Sequence, residues 1–482
     1  MPPRTYPLSC DNVVALSDVT ATGNTLVGKN SDRPAFESQP LVYNEGESHG
    51  SDETLDLAYC TIPRAGQTYA TLGAAPYWCW GYELGINEHG VTIGNEAVFT
   101  RPLKTRLDEL PDEEESGDGA DLGDGLLGME FVRLGLERAR TAEDAVNVIA
   151  QLLESYGQFG SAVADESHED GAYDNSYLVA DASEAWILET AGRRWAAKRV
   201  ERGTAAISNE LTIRHRWDAG SDDLVSHAVD NGWWDADRKP FDFAAAYTDH
   251  EVPAQLSRIR LQRSRQLLET SARDGSVSRD DLTSLFRDHY DGTFLDGPKF
   301  NAALPDFLTL CMHSSPAEFT WGNTVSSVVF DLPVDDDGIP TMWWTPITPC
   351  VGVYVPFYVL SGGVPDVVSR AGTAGRSITP PTAVARDEYR DDSYWWEFME
   401  LLQTIKGDAD GRAFERNHAV ARSVFDELEQ QFVVRAADVE REAAELLRAG
   451  ERDRARSLLS SFTADCVAEV RTEVRRVTQL VS

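Results

Sequence analysis

Cys10 stands at the start of a β-rich stretch and is a candidate nucleophile. A cysteine nucleophile must lose its proton to a base, and its reaction needs hydrogen-bond donors for the oxyanion. If Cys10 becomes the first residue, its own α-amino group can be that base, because a free α-amine has a pKa of about 7.7–8.0. This chemistry requires removal of residues 1–9. It needs no histidine, which fits the scattered positions of the nine histidines.

A predicted β-hairpin brings further polar side chains beside Cys10. The β-rich stretches CDNVVALS and TLVGKN are separated by the turn-rich SDVTATGN. If the turn lies between Ser17 and Thr25, paired residue numbers sum to 42, which predicts Asp32 opposite Cys10. Asp32 could then orient an ammonium group, and Lys29 could lower the thiol pKa. A buried strand cysteine near a surface charge pair is the alternative interpretation.

The remaining motifs indicate no cofactor. GNTLVGKN resembles a phosphate-binding loop, but Asn30 stands where that loop needs a hydroxyl, and the stretch is β-type. The sequence contains neither GxSxG nor HExxH. Cys311 and His313 would share a face on a strand, where they could bind a metal or form a Cys/His pair. Burial in the core is the simpler alternative, so we predict no metal and no cofactor.

Hydrophobic periodicity predicts the elements that must hold these residues. LLGMEFVRLGLERAR and TAEDAVNVIAQLLESYG have helical spacing, whereas NSYLVAD, EAWILET and RWAAKRV form an antiparallel meander that AAISNELT extends. Further helices are predicted at 254–272 and 279–290, and strands at 323–332 and 341–360. The acidic stretch 107–124 is predicted to be a solvated loop. Separate runs of strands and helices favour an α+β fold over a parallel doubly wound sheet.

Composition excludes several classes of protein. The chain has 482 residues, and 80 acidic against 44 basic side chains give a formal charge of −36. Such a surface repels phosphate, so we expect neither nucleic acid nor an anionic membrane as a partner. The longest apolar run, 350–360, is too short to span a membrane, and residues 1–9 lack a secretory core. We therefore expect a cytoplasmic protein with reduced cysteines.

Five segments together resemble the secernin/dipeptidase-A family of cysteine peptidases, which belongs to the N-terminal nucleophile (Ntn) hydrolase superfamily. They are SCDNVVAL, GKNSDR, PYWCWGYELGINEHGVTIGNEAV, LLGMEFVRLGLERA and ISNELTI. The similarity runs from Ser9 to about residue 330, and its most specific part is Trp78–Val98. The resemblance implies an αββα sandwich of two antiparallel sheets between helix layers. It also implies amide hydrolysis through a thioester on Cys10.

The resemblance also suggests roles for individual residues. In the related bile-salt hydrolases and penicillin acylases, GRNxD supplies an arginine and an aspartate beside the nucleophile, and GKNSD here gives Lys29 and Asp32. Asn95 in IGNEA is similar to an oxyanion donor, and Asn209 in ISNEL to an asparagine near the nucleophile. The supporting arginine is most similar to Arg258 in SRIR, with Arg260 as the alternative.

Substrate-binding residues are predicted in the most specific segment. Trp78 and Trp80 share a face if this segment is a strand, where they line the acyl pocket or simply pack in the core. Glu83 and Glu96 are candidate partners for a substrate ammonium group. In a chain with 80 acidic residues, ordinary surface carboxylates are the alternative.

We therefore predict three parts: a removed propeptide (1–9), an Ntn-hydrolase domain (10–383) and a helical C-terminal extension (384–482). The predicted activity is that of a dipeptidase acting on small peptides, in a chain that could form a homo-oligomer. Two alternatives remain open. One is an N-acyl amidase of the bile-salt hydrolase or penicillin acylase type. The other is a non-catalytic, secernin-like regulatory protein.

Overall fold

The computed structural model describes residues 9–110, 125–273, 275–297, 299–315, 322–335, 338–378 and 381–482. Most of the predicted propeptide, and residues 111–124 of the predicted acidic loop, lie outside these ranges.

Strands and helices occupy separate runs of the chain. The strands are β1 (Ser9–Ala15), β2 (Thr25–Pro34), β3 (Leu41–Asn44), β4 (Thr54–Asp56), β5 (Thr61–Pro63), β6 (Thr71–Ala74), β7 (Leu84–Asn87), β8 (Thr92–Val98), β9 (Asp174–Ala180), β10 (Ala185–Ala191), β11 (Arg194–Val200), β12 (Thr204–Ile207), β13 (Ala219–Gly220), β14 (Gly322–Leu332), β15 (Thr341–Pro346) and β16 (Val355–Phe357). The helices are α1 (Arg101–Asp108), α2 (Gly128–Arg138), α3 (Ala142–Tyr156), α4 (His168–Gly171), α5 (Leu224–Asp230), α6 (Phe243–Tyr247), α7 (Arg258–Ala272), α8 (Arg279–Phe286), α9 (Tyr394–Lys406), α10 (Phe414–Arg448) and α11 (Arg452–Val481).

Two antiparallel sheets form the centre of the molecule. One has the order β12-β1-β2-β14-β15-β16, and the other has the order β13-β11-β10-β9-β8-β7-β6-β3. β1 packs against β8 across the interface between the sheets. Both strands are buried along their whole length, because each is covered on both faces. A site at the start of β1 is therefore enclosed by the packed sheets and helices.

Helices cover the outer faces of both sheets. α2 and α3 pack on the sheet that contains β8, while α7 and α8 pack on the sheet that contains β1. α3 begins where predicted, and the Thr141 hydroxyl accepts a hydrogen bond from the Asp144 main-chain N–H at 3.1 Å. The four layers are thus helix, sheet, sheet and helix, which confirms the predicted α+β sandwich.

The strand predicted to extend the meander joins the other sheet instead. β9, β10 and β11 pair as predicted, but β12 pairs with β1, with Asn12 opposite Ile207. The chain therefore crosses from one sheet to the other between Val200 and Thr204. This crossover brings the residues that follow β12 close to Cys10.

The C-terminal helices pack against one end of the sheet that contains β1. α9 contacts β15, while α10 and α11 contact β16 and pair with each other. Their apolar side chains belong to the same buried cluster as those of β14 and β15. The division of the chain at residue 383 stays a prediction. Within the described ranges, no helix has both the length and the apolar character that a membrane crossing requires.

Candidate active site

The register between β1 and β2 differs by one residue from the prediction. Cys10 lies opposite Ser31, and Asp32 lies opposite Ser9, so paired numbers sum to 41 and not to 42. The cause is the turn, because pairing ends at Ala15 with Leu26. Since strand side chains alternate between faces, this shift places the Asp32 side chain on the face opposite to that of Cys10.

The two faces of β1 have different polar partners. On the face toward β8, the Asn12 amide donates a hydrogen bond to Glu96 Oε1 at 2.7 Å. On the face toward α7, Asp11 Oδ2 accepts one from Arg260 Nη1 at 2.5 Å. The Cys10 side chain shares the first face with Asn12. The sulfur accepts a hydrogen bond from the Asp32 main-chain N–H at 3.3 Å.

Asn209 holds the main-chain nitrogen of Cys10. The Cys10 N–H donates to Asn209 Oδ1 at 2.9 Å, and the Asn209 amide donates to the Ala97 carbonyl oxygen at 2.9 Å. Asn209 follows β12 by two residues, and the crossover described above brings it there. In the structure this nitrogen belongs to a peptide bond. It marks where an α-amine would lie if the chain began at Cys10.

Arg260, and not Arg258, reaches the nucleophile. The buried Arg260 guanidinium donates to the Cys10 carbonyl oxygen at 3.0 Å and to Asn209 Oδ1 at 2.7 Å. Arg258 is exposed and pairs with Glu210 at 2.9 Å. The selection of Arg258 is therefore wrong in position. Residues that are two positions apart on a helix point in directions about 200° apart around its axis, so only one of these two arginines can face the sheet.

Lys29 is buried on the same face as Cys10. Its ammonium group donates to the Glu83 carbonyl oxygen at 2.8 Å, to Asn95 Oδ1 at 3.0 Å and to the Asn95 carbonyl oxygen. A Cβ on Gly94 would lie 3.0 Å from Lys29 Cδ and 2.4 Å from Asn12 Oδ1. The absence of a side chain at Gly94 thus lets Lys29 pass between the sheets.

The described contacts of Asn95 do not include Cys10. Besides accepting from Lys29, the Asn95 amide donates to Asn175 Oδ1 at 3.2 Å. The Asp32 carboxylate accepts from the Thr324 hydroxyl at 2.6 Å and from the Ser9 hydroxyl at 3.1 Å. Asp32 is thus directed at the residue whose removal would expose the Cys10 nitrogen.

The predicted substrate-binding residues Trp78, Trp80 and Glu83 are all buried, and Trp78 also lines a cavity of about 480 Å³. Glu83 is buried between Lys29 and Arg33, each 3.3 Å from one of its carboxylate oxygens. Trp78 and Trp80 do not lie on a strand, because β6 ends at Ala74 and β7 begins at Leu84. The two tryptophans belong to different apolar clusters, and Trp80 stacks against the Arg133 guanidinium at 3.9 Å.

Burial has the largest effect on the titratable groups of the site. It raises the pKa of the Cys10 thiol well above its usual range, although the Lys29 cation acts in the opposite direction. Burial also raises the pKa of Asp32 to about 7, with Arg260 opposing it. The pKa of Glu96 is likewise raised by burial. Burial thus favours the protonated form of the Cys10 sulfur, and a base is needed to form the thiolate.

Several residues of this hydrogen-bonded system are absent from the sequence predictions, among them Asp11 and Thr324. The Asp11 carboxylate accepts a hydrogen bond from Arg260, which also binds the Cys10 carbonyl oxygen, and Thr324 on β14 donates one to Asp32. The sequence could have indicated Asp11, because alternation along a strand directs the side chain of the residue after Cys10 to the opposite face of β1. Thr324 is nearly 300 residues away along the chain and carries no comparable signal.

A cavity of about 450 Å³ opens beside Asn209. Its wall includes Phe99 and the charged side chains of Glu210, Asp249 and Arg258. Asn209 thus contacts the Cys10 nitrogen and borders this cavity.

The fold and site together define a four-layer α+β protein with a candidate cysteine nucleophile near the start of β1, an interior strand of one of the two sheets. The model of peptidase family C69 matches residues 9–257, more than half of the chain. The chain therefore belongs to peptidase family C69. This confirms the family resemblance found in the sequence, and C69 is a family of peptidases.

The individual proteins that this chain resembles have low sequence identity to it. A dipeptidase from Bifidobacterium longum is 24% identical over 216 residues, which cover 43% of this chain and 38% of the relative. This chain thus spans well under half the length of the curated relative it matches. A variant of conjugated bile acid hydrolase from Clostridium perfringens has a TM-score of 0.36 at 13% identity, covering 69% of this chain and 88% of that one.

Another solved structure has a lower score. The Caenorhabditis elegans ortholog of N-acylethanolamine-hydrolyzing acid amidase has a TM-score of 0.32 at 10% identity, covering 68% of this chain and 96% of that one. Scores at this level do not define the fold or the activity of this chain.

Replacement of Arg260 by lysine should lower peptidase activity much more than the same change at Arg258. Lysine keeps the charge but cannot hold Asp11, Asn209 and the Cys10 carbonyl oxygen together. Loss of one charged hydrogen bond, worth about 1.5–3 kcal/mol, corresponds to a decrease in kcat/KM of about 10- to 100-fold. Steady-state kinetics of the two variants measures this difference. Equal losses would contradict the assignment of Arg260.

Proposed function

We propose that the chain is a cysteine-type dipeptidase whose nucleophile is Cys10 and whose general base is the α-amine of the same residue. The observation that carries the proposal is the hydrogen bond from the Cys10 main-chain N–H to Asn209. Arg260 and the Ala97 carbonyl oxygen hold the Asn209 side chain in place through further hydrogen bonds. A nitrogen so held needs only the loss of residues 1–9 to become a positioned amine. The peptidase family supports amide hydrolysis as the reaction.

The proposed reaction has two stages. The Cys10 amine accepts the thiol proton as the sulfur attacks the peptide carbonyl carbon, and it then gives this proton to the leaving amine. The C–N bond breaks, which leaves a thioester on Cys10. Water, deprotonated by the same amine, attacks the thioester, and the thiol regains a proton as the acid is released. No metal or other cofactor enters these steps.

The neighbouring residues are proposed to position this pair. Asp32 binds the Ser9 hydroxyl, and after removal of residues 1–9 it would bind the ammonium form of the Cys10 α-amine. The positive charge of Lys29 would favour the thiolate form of Cys10. Main-chain N–H groups and Asn95 would stabilise the oxyanion. For that role the Asn95 amide must exchange its bond to Asn175 for one to the substrate.

Replacement of Cys10 by alanine should abolish peptide hydrolysis and leave the fold intact. Alanine removes the sulfur, and the small loss of volume is tolerated at the start of a strand. The matched control is Cys466→Ala, which removes another buried thiol, on α11. Dipeptide hydrolysis and circular dichroism measure the two properties. Full activity of the Cys10 variant, or equal loss in both variants, would refute the proposal.

Glu96 gives a physical reason to favour substrates with a free amino group. It is fully buried, Asn12 binds its Oε1, and Oε2 has no hydrogen-bond partner among the described residues. An unpartnered buried carboxyl oxygen is unfavourable, and a substrate ammonium group would satisfy it. Such a partner would also reverse the effect of burial on the Glu96 pKa. We therefore propose that Glu96, and not Glu83, recognises the amino end of a dipeptide.

Glu96→Gln should reduce kcat/KM for free dipeptides by about 10- to 100-fold, because one charged hydrogen bond becomes neutral. It should reduce kcat/KM much less for the same peptides with an acetylated amino end. The control is Glu189→Gln, since Glu189 is also buried but has bonds from Thr212 and Ile213 to both oxygens. An unchanged ratio between the two substrates in the Glu96 variant would contradict this assignment.

The alternative activity on N-acyl compounds is tested by comparing hydrolysis of free dipeptides with hydrolysis of N-acyl amino acids. Wild-type protein that cleaves N-acyl amino acids faster than free dipeptides would favour the amidase over the dipeptidase. Protein that cleaves neither would favour a non-catalytic role. The small peptide is the only partner that the proposed reaction requires.

A further inference from the structure

A second cluster of reactive side chains lies outside the site around Cys10. It consists of His289, Cys311, His313 and Cys350, and all four are buried. They come from three separate segments: the turn after α8, the stretch that precedes β14 and the connection between β15 and β16. In the sequence only Cys311 and His313 are close together. The fold adds the other two.

The distances among the four donor atoms match one small ion. His289 Nε2 lies 3.1 Å from His313 Nε2, which is also 3.3 Å from Cys350 Sγ and 3.6 Å from Cys311 Sγ. All four donor atoms lie within 4.8 Å of one another. Tetrahedral zinc, with bonds of about 2.3 Å to sulfur and 2.0–2.1 Å to nitrogen, has ligand atoms about 3.3–3.8 Å apart.

The chemistry of the donors selects the type of metal. Two thiolates and two imidazoles form a Cys₂His₂ set, which suits zinc and not the oxygen-preferring magnesium or calcium. Two thiolates would also neutralise the charge of a divalent ion in this buried place. A disulfide between Cys311 and Cys350 would use both sulfurs but would give no reason for the close approach of His289 to His313.

We propose that these four residues bind one structural zinc ion. Four protein ligands leave no open position for water or substrate, as in closed structural sites. Binding releases the two thiol protons, and no bond to carbon changes. The zinc would join the connection between α8 and β14 to the connection between β15 and β16, in the region of the sheet to which α9–α11 also attach. This proposal does not depend on the reaction proposed for Cys10.

The zinc would also stabilise the surroundings of Asp32 indirectly. Met312, between two of the ligands, exchanges hydrogen bonds with Thr324 through its main-chain N–H and carbonyl oxygen. The Met312 sulfur accepts a hydrogen bond from the Ser9 hydroxyl at 3.4 Å. Thr324 donates in turn to Asp32. Loss of the ion should therefore loosen the segment next to the active site without removing a catalytic group.

Elemental analysis of the full chain, purified without chelator and then supplied with zinc chloride, should give about one zinc per chain. Cobalt chloride supplied to chelator-treated protein should give the visible absorption of tetrahedral cobalt–thiolate coordination. Cys350→Ser should lose both signals, whereas the control Cys466→Ser, at a buried thiol outside the cluster, should keep them. If Cys350→Ser does not fold, the cobalt spectrum of the wild type decides the question.

Three results would overturn the zinc site. The first is wild-type protein that retains no stoichiometric zinc or cobalt after dialysis. The second is a cobalt spectrum without thiolate bands, which would indicate adventitious binding by surface carboxylates. The third is a mass 2 Da below that of the reduced chain, shown by peptide mapping to be a Cys311–Cys350 disulfide. Zinc retention together with inactive Cys10 chemistry would support this site and contradict only the proposed function.

Discussion

The geometry around Cys10 depends on one buried guanidinium. Arg260 binds Asp11, the Cys10 carbonyl oxygen and Asn209, and Asn209 in turn accepts the hydrogen bond of the Cys10 nitrogen. A charge in this position is costly unless every donor is paired, and here the main chain of the nucleophile supplies part of that pairing. The same contacts that make burial of the arginine tolerable therefore fix the nitrogen.

The two-sheet core makes this arrangement possible. Because β1 is covered by β8 on one face and by α7 on the other, alternation along the strand separates two functions. The thiol shares its face with Asn12 and Lys29, near Glu96, whereas Asp11 contacts Arg260 on the other face. A one-residue slip of β1 would exchange these surroundings, so the register itself is part of the site.

Much of the fold could be predicted from the sequence, because amphipathic helices and short strands have local signals. The helices at 128–138 and 142–156 and the meander through β11 are examples. The sheet to which β12 belongs, the register opposite Cys10 and the selection of Arg260 over Arg258 depend on tertiary packing. The same limit applies to the pairing of His289 and Cys350 with Cys311, since nothing local connects positions so far apart.

The central claim is that catalysis uses an unblocked nitrogen on the residue that carries the reactive sulfur. Intact mass spectrometry of the active fraction, combined with N-terminal sequencing, tests it most directly. The account predicts a chain that begins with Cys10 and a full-length form that lacks peptidase activity. Full turnover by protein that retains any residue before Cys10 would contradict it.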